Sequence, residues 1–132
     1  DLMKALAIAP DFATAIGTGI KEALAAVRDP ADAAVYLEVG AEAARNPRVA
    51  AIVRRHDESV TSALAKLLRD AQVRGEITAE LDPQLAAEMI SALVDGLISR
   101  KAIAPEVDLT SYAPLAQRMI LDLLRPTSPG AG

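Results

Sequence analysis

The longest patterned segment of the sequence spans residues 47–74 and reads PRVAAIVRRHDESVTSALAKLLRDAQVR. Its apolar residues recur every three or four positions, which indicates an amphipathic helix. This stripe contains Val49, Ile52, Val53, His56, Val60, Ala63, Leu64, Leu67, Leu68 and Ala71. The opposite face carries Arg54, Arg55, Glu58, Ser62, Lys66 and Arg69. At about 1.5 Å per residue, the pattern predicts a helix roughly 40 Å long with one buried face.

Three dipeptides mark helix starts around this stretch: Asp29-Pro30, Asn46-Pro47 and Asp82-Pro83. The Asp or Asn oxygen can accept a hydrogen bond from an unpaired N–H, and proline at the first helical position loses no needed donor. Gly75 predicts a helix stop, because glycine adopts positive φ at low cost. Pro105 predicts the end of a later helix, and Asp108 or Thr110 is expected to cap the last one.

These signals predict an all-α chain, an antiparallel bundle of about five to six helices with short connections. The predicted helices lie near Asp11–Val27, Pro30–Ala44, Pro47–Arg74, Pro83–Lys101 and Thr110–Leu124.

The ends of the chain differ from its middle. Residues 1–10, with a helical stub at Leu2–Ala9, are expected to be the end of a connecting helix. Residues 11–125 are expected to form one helical domain, and residues 126–132 a flexible tail of linker-like composition. Because the chain opens without an initiator Met or a basic signal segment, we expect it to be a fragment.

Composition narrows the class of protein. The chain has 132 residues, of which 52% are hydrophobic, so one domain with a real core is expected. It has no Cys, which excludes disulfides and Cys-based zinc sites and fits a reducing, cytoplasmic location. No apolar run approaches the roughly 18–20 residues of a membrane span. The 18 acids outnumber the 14 bases, which disfavours nucleic-acid binding by this chain itself.

The two C-terminal helices have unusually wide apolar stripes. By wheel geometry the stripe of Pro83–Lys101 covers roughly 200°, whereas a one-sided surface helix needs about 100°. The stripe of Thr110–Leu124 is similarly broad. Either both helices are central in the monomer, or each has a second buried surface against a partner subunit. Gly96, one turn after Ala92, would let another helix approach closely.

Several segments, in this order and spacing, resemble the C-terminal domain of TetR-family transcriptional regulators. They are YLEVGAEAARNP at 36–47, LLRDAQVRGEI at 67–77, LDP at 81–83 and AAEMISALVDGL at 86–97. The resemblance extends from about Asp11 to Leu124. It implies the ligand-sensing and dimerisation domain of a one-component bacterial regulator, a repressor whose operator binding is relieved by a small apolar effector.

The resemblance also implies where the partners bind. The first three predicted helices would wall an effector pocket, for which the candidate residues are Phe12, Ile16, Tyr36, Val53, His56 and Val60. The last two would form a four-helix bundle with a second copy, through Met89, Leu93, Gly96, Leu97, Tyr112, Leu115, Met119 and Leu123. The family's helix-turn-helix has no counterpart in Asp1–Val27, so DNA binding is expected only through an N-terminal domain absent from this chain.

Alternatives stay open for individual residues. His56 either orients an effector in the pocket or is a core-edge histidine satisfied by a backbone carbonyl, Asp57 or Asp70. Tyr36, on a helix apolar nearly all round, needs a partner for its hydroxyl and could point into a cavity. Phe12 opens an apolar stripe and also fits core packing.

Gly17 and Gly19 interrupt a predicted helix at about 1 kcal/mol each relative to Ala, which indicates a kink, a widened pocket wall or close helix packing. Glu42 and Arg45 are expected to form a modest ion pair on a solvated face.

Other functions find less support in the sequence. No metal site is predicted, because His56 is the sole histidine and no carboxylate follows it by four residues. No nucleophile elbow or buried carboxylate pair is present, so we expect neither an enzyme nor a cofactor. The alternative function is a helical protein–protein interaction module that assembles without a small-molecule ligand.

Overall fold

The computed structural model describes residues 8–127, and within them five α-helices and one short 3₁₀ helix form the fold. The helices are α1 (Phe12–Ala25), α2 (Pro30–Ala43), α3 (Pro47–Val73), α4 (Pro83–Ile103) and α5 (Ala113–Leu123), with the 3₁₀ helix at Leu109–Tyr112 before α5. The all-α prediction is confirmed. Most residues of the predicted stub Leu2–Ala9 and of the predicted tail 126–132 lie outside the described residues.

The three predicted cap-plus-proline starts are confirmed. Asp29 accepts from the N–H of Asp32 at 3.0 Å, and Asp82 accepts from that of Gln84 at 2.8 Å. Asn46 accepts from the N–H of Arg48 at 3.1 Å. Each of these oxygens satisfies a first-turn donor that has no partner inside its helix.

Gly75 ends α3 as predicted. Its φ is +72°, and its N–H bonds to the carbonyl of Gln72 at 3.0 Å. The N–H of Glu76 bonds to the carbonyl of Ala71, also at 3.0 Å. This pair of bonds is the Schellman motif, whose left-handed residue is usually glycine because no Cβ is present to clash.

The last predicted helix is divided in two. Asp108 accepts from the N–H of Thr110 and caps the 3₁₀ turn, and α5 begins at Ala113 with Pro114 in its first turn. Pro114 has no N–H to donate to the carbonyl of Thr110, which instead accepts from the N–H of Ala113, so the chain forms a 3₁₀ turn at this point.

The helices form two groups around one core. The first group is α2, α3 and α4, which pack on one another, and the second is α1, α5 and the 3₁₀ helix. The core joins the two groups through buried residues that include Ile16, Leu24, Leu68, Ile90 and Leu124. In the described residues every buried side-chain polar atom has a hydrogen-bond partner, so no unsatisfied polar group destabilises this core.

Only the second half of α3 is buried as the stripe predicted. Its buried residues are Thr61, Leu64, Ala65, Leu68 and Ala71. In the first half Ile52 is 68% exposed and His56 is exposed as well. The periodicity therefore located the helix correctly, but helical spacing cannot tell how far along its length a covering element extends.

Gly17 allows close packing of α1 against α5. A Cβ built there would lie 2.6 Å from Nε2 of Gln117 on α5. That Nε2 donates to the carbonyl of Ala13 at 3.1 Å. Of the three alternatives for this glycine, the structure supports close helix packing.

Candidate functional site at the junction of α2, α3 and α4

Tyr36 and Asp95 meet where α2 packs on α4. The Tyr36 hydroxyl donates to Oδ1 of Asp95 at 2.5 Å, so the partner that this hydroxyl requires is on α4. Tyr36 is 41% exposed and Asp95 is half-buried. The contact therefore lies at the surface end of the α2–α4 packing rather than within the core.

The electrostatics of this junction favour the neutral tyrosine. Partial burial, the hydrogen bond to Asp95 and the negative charges of Asp95 and Asp57 raise the pKa of Tyr36 above its ordinary value of 10.0. Asp57 belongs to α3, so acidic groups approach Tyr36 from two helices. The junction can thus offer two carboxylates as acceptors and one hydroxyl as donor.

Asp57 lies on the inward face of α3. It precedes Thr61, Leu64 and Leu68 by four, seven and eleven residues, and all three are buried. Asp57 itself is exposed, and Val53 and Val60, near it on the helix, are half-buried. The face that packs in the second half of α3 is therefore open in the first half.

The structure brings together only some of the six predicted effector residues. Tyr36, Val53 and Val60 belong to the helices around the junction. His56 is also on α3 but is exposed. Phe12 and Ile16 are buried in the core on α1, which packs mainly against α5. An effector-binding role for each of the six stays a prediction.

Asp57 and Asp95 were not among the residues that the sequence singled out for a site. Asp95 is the sole charged residue between Glu88 and Arg100 on a largely apolar stretch of α4, and this isolation was the available signal. That it faces Tyr36 depends on how α2 packs on α4, which helical spacing does not specify.

Two surface cavities lie elsewhere. One, of about 280 Å³, is at the start of α1, lined by Asp11, Phe12, Ala13, Glu76, Ile77, Leu121 and Leu124. The other, of about 240 Å³, is near the ends of α1 and α4, lined by Leu24, Ala25, Val27, Arg28, Lys101, Asp108, Leu109 and Thr110. Phe12 alone, of the six predicted effector residues, contributes to either.

Two exposed apolar stripes run along α4 and α5, and we call them the α4/α5 stripes. On α4 they comprise Leu85, Met89, Ala92 and Gly96, and on α5 Leu115, Met119 and Leu123. The large side chains among them are each more than half exposed, and a Cβ at Gly96 would meet nothing within 4 Å. Leu93, Leu97 and Tyr112, also predicted for the interface, are partly buried and pack against the chain's own core.

Among the described residues, no three His, Asp or Glu side chains are arranged to hold a metal ion. None of the helices of residues 8–127 has both the length and the apolar character needed to cross a membrane.

Comparison with known proteins decides the family. The sequence profile of the BetI-type transcriptional repressor C-terminal domain matches residues 18–125, most of the chain. The chain belongs to this family. It is the C-terminal domain of a TetR-type transcriptional regulator, and the resemblance seen in the sequence is confirmed.

Individual relatives agree with this assignment. The domain is 32% identical over 84 residues to the HTH-type transcriptional regulator UidR of Escherichia coli K12 and to that of Shigella flexneri. That match covers 64% of this chain and 41% of each relative. Among solved structures, Salmonella enterica GusR is similar, with a TM-score of 0.64 and 29% identity over 83% of this chain and 57% of that one. The chain thus spans less than two thirds of the length of these relatives.

Proposed function

We propose that this TetR-type domain binds a small, largely apolar effector and pairs with a second copy of itself. The α4/α5 stripes carry the proposal of a dimer. Exposed apolar surface of this regularity marks an interaction site in a soluble domain. A twofold pairing would place the same two helices of each copy in contact, because a twofold interface uses the same surface on both subunits.

The proposed dimer interface consists of Met89, Leu93, Gly96, Leu97, Tyr112, Leu115, Met119 and Leu123. Five of these eight are exposed in the single chain, so a second copy could cover them. Gly96 supports close approach, because no side chain occupies the space beside it. The three partly buried residues, Leu93, Leu97 and Tyr112, pack on the core of their own chain and would hold the exposed residues of the interface in place.

The proposed effector site is the junction of α2, α3 and α4. Val53 and Val60 provide apolar surface there, and Tyr36, Asp57 and Asp95 provide a few polar groups, the combination typical of ligand sites. Phe12, Ile16 and His56 stay in the proposal as candidates for the surroundings of the site.

Binding would regulate through two conformations of the dimer. An effector that fits one arrangement of the helices better shifts the population toward it. Operator recognition is assigned to the part of the regulator outside these 132 residues. Paired DNA-reading domains must be about 34 Å apart to enter successive major grooves, so a change in dimer geometry would release the operator, as in a repressor.

A thermal-shift screen of this chain with medium-chain fatty acids, alcohols and apolar aromatic compounds tests effector binding. An apolar ligand that binds the folded state at a hundred times its Kd stabilises it by roughly 2.7 kcal/mol, which raises the melting temperature by several degrees. The effector proposal fails if no compound shifts the melting temperature.

A second candidate function is an assembly module without a ligand. The observation that favours it is the position of the two surface cavities, of which only one touches a predicted effector residue and neither lies at the junction. Dimerisation together with a negative ligand screen would support this second function.

A further inference from the structure

Helix α2 is weakly anchored to the rest of the domain. Of its fourteen residues, Pro30–Ala43, only Ala33 is buried. Val35, Leu37 and Val39 are exposed, and Gly40 has no side chain with which to pack. By contrast α1, of the same length, buries five side chains. Few buried contacts predict that α2 opens at lower free energy than the helices of the core.

The Tyr36–Asp95 hydrogen bond has a special place in this arrangement. In residues 8–127, the other side-chain-to-side-chain hydrogen bonds in or next to the helices join residues at most four positions apart in the sequence. One further long-range pair joins Thr127 to Glu80, both outside the helices. The Tyr36–Asp95 bond is therefore the single side-chain-to-side-chain hydrogen bond that links two helices of the described chain.

Helix α2 packs beside the first half of α3, whose inward face is only partly covered. Helix α2 contacts α3 and α4, and the charge of Asp57 on α3 is close enough to act on the Tyr36 hydroxyl. Val53 and Val60, beside Asp57, are half-buried rather than closed off. A displacement of α2 away from α4 would expose this inward face of α3 further, and it would also uncover Ala33, the one buried residue of α2.

We propose that the Tyr36–Asp95 hydrogen bond is a latch that holds α2 closed over the α2–α3–α4 junction, and that ligand entry requires it to open. The inference rests on the proposed function, because the ligand concerned is the apolar effector of that same junction. The polar atoms released when the latch opens, the Tyr36 hydroxyl and the Asp95 carboxylate, then become available to a ligand that carries hydrogen-bonding groups. An effector that engages either of them competes directly with closure of α2.

Amide hydrogen exchange of the Tyr36→Phe variant tests the latch. The variant keeps the ring and removes only the donor, so exchange within residues 33–43 should accelerate by about five- to tenfold, as expected for one lost hydrogen bond at a partly exposed site. Exchange in α5 should not change. The matched control is Tyr112→Phe, which removes the chain's other phenol and should leave α2 exchange unchanged.

A second variant controls for effects of Tyr36→Phe other than the loss of the hydrogen bond. Asp95→Ala should accelerate amide exchange in α2 by a similar factor. Exchange in the double variant should be no faster than in either single variant, because all three lose the same hydrogen bond. Unchanged α2 exchange in Tyr36→Phe, or equal acceleration of every helix, would overturn the proposal.

Access to the junction is measured with the apolar dye N-phenyl-1-naphthylamine. Tyr36→Phe should bind the dye several-fold more tightly than the wild type. Only the open molecules bind, so the apparent affinity is proportional to the open fraction, which the substitution increases. Faster α2 exchange without tighter dye binding would overturn the role in access. That outcome does not test effector binding itself, which the thermal-shift screen measures. The proposals of effector binding and of the latch can therefore fail separately.

Discussion

The hydroxyl of Tyr36 donates to a carboxylate on another helix and has a second carboxylate nearby. Partial burial disfavours tyrosinate, and so do the hydrogen bond to Asp95 and the charges of both carboxylates, so folding raises the pKa of Tyr36 above that of the unfolded chain, which is about 10. A raised folded pKa means that this contribution to stability is fully present below pH 10 and is lost as the pH rises through the higher folded value.

Tyrosinate absorbance of the folded chain tests this expectation. The difference between wild type and Tyr36→Phe isolates Tyr36, and its ionisation should occur at a pH above the ordinary tyrosine range. In denaturant the same difference should titrate near the ordinary value. A folded-state titration that coincides with the denatured one would show that Tyr36 does not contact Asp95 in solution.

The boundaries of the helices were more predictable from the sequence than the environments of individual side chains. Asp29, Asn46, Asp82 and Gly75 act through local geometry, so their spacing in the sequence was enough to place helix ends within one or two residues. The exposure of His56 and the partner of Tyr36 depend on which helix covers which, and this information is not local. Residue type suggested that Tyr36 needed a partner, but only the packing of α2 on α4 identified Asp95.

The packing of α1 on α5 gives a prediction for Gly17. Ala at this position gains about 1 kcal/mol of helix propensity but displaces the Gln117 amide, whose hydrogen bond contributes a similar amount. Gly17→Ala alone should therefore change the free energy of unfolding little. In a Gln117→Ala background the same substitution should stabilise by about 1 kcal/mol, measured by urea denaturation.

Gly40 supplies the matched control for Gly17. A Cβ there meets nothing within 4 Å, so Gly40→Ala should stabilise by about 1 kcal/mol outright. If Gly17→Ala is as stabilising as Gly40→Ala in the wild-type background, α1 and α5 are not packed as closely as the structure shows.

For the whole molecule, the apolar excess of the composition has a specific location. The single chain buries one core yet leaves Met89, Leu115, Met119 and Leu123 more than half exposed. The wide apolar stripes predicted from the sequence were consistent with either a central position or a partner. The structure shows that one side of each helix does pack on the core while the other remains open. We propose that a second copy of this chain covers the open side.

The molar mass of the purified chain in solution, measured by light scattering during size exclusion, tests that claim most directly. We predict a mass twice the 13.8 kDa of one chain. Met89→Glu combined with Met119→Glu should give the mass of a single chain with unchanged helical circular dichroism, because four buried charges would oppose association of the two copies. Ile52→Glu, which adds a charge at an exposed apolar residue on α3, should remain a dimer. A wild-type chain that has the mass of one copy, or a Met89→Glu/Met119→Glu variant that stays paired, would contradict pairing through the α4/α5 stripes.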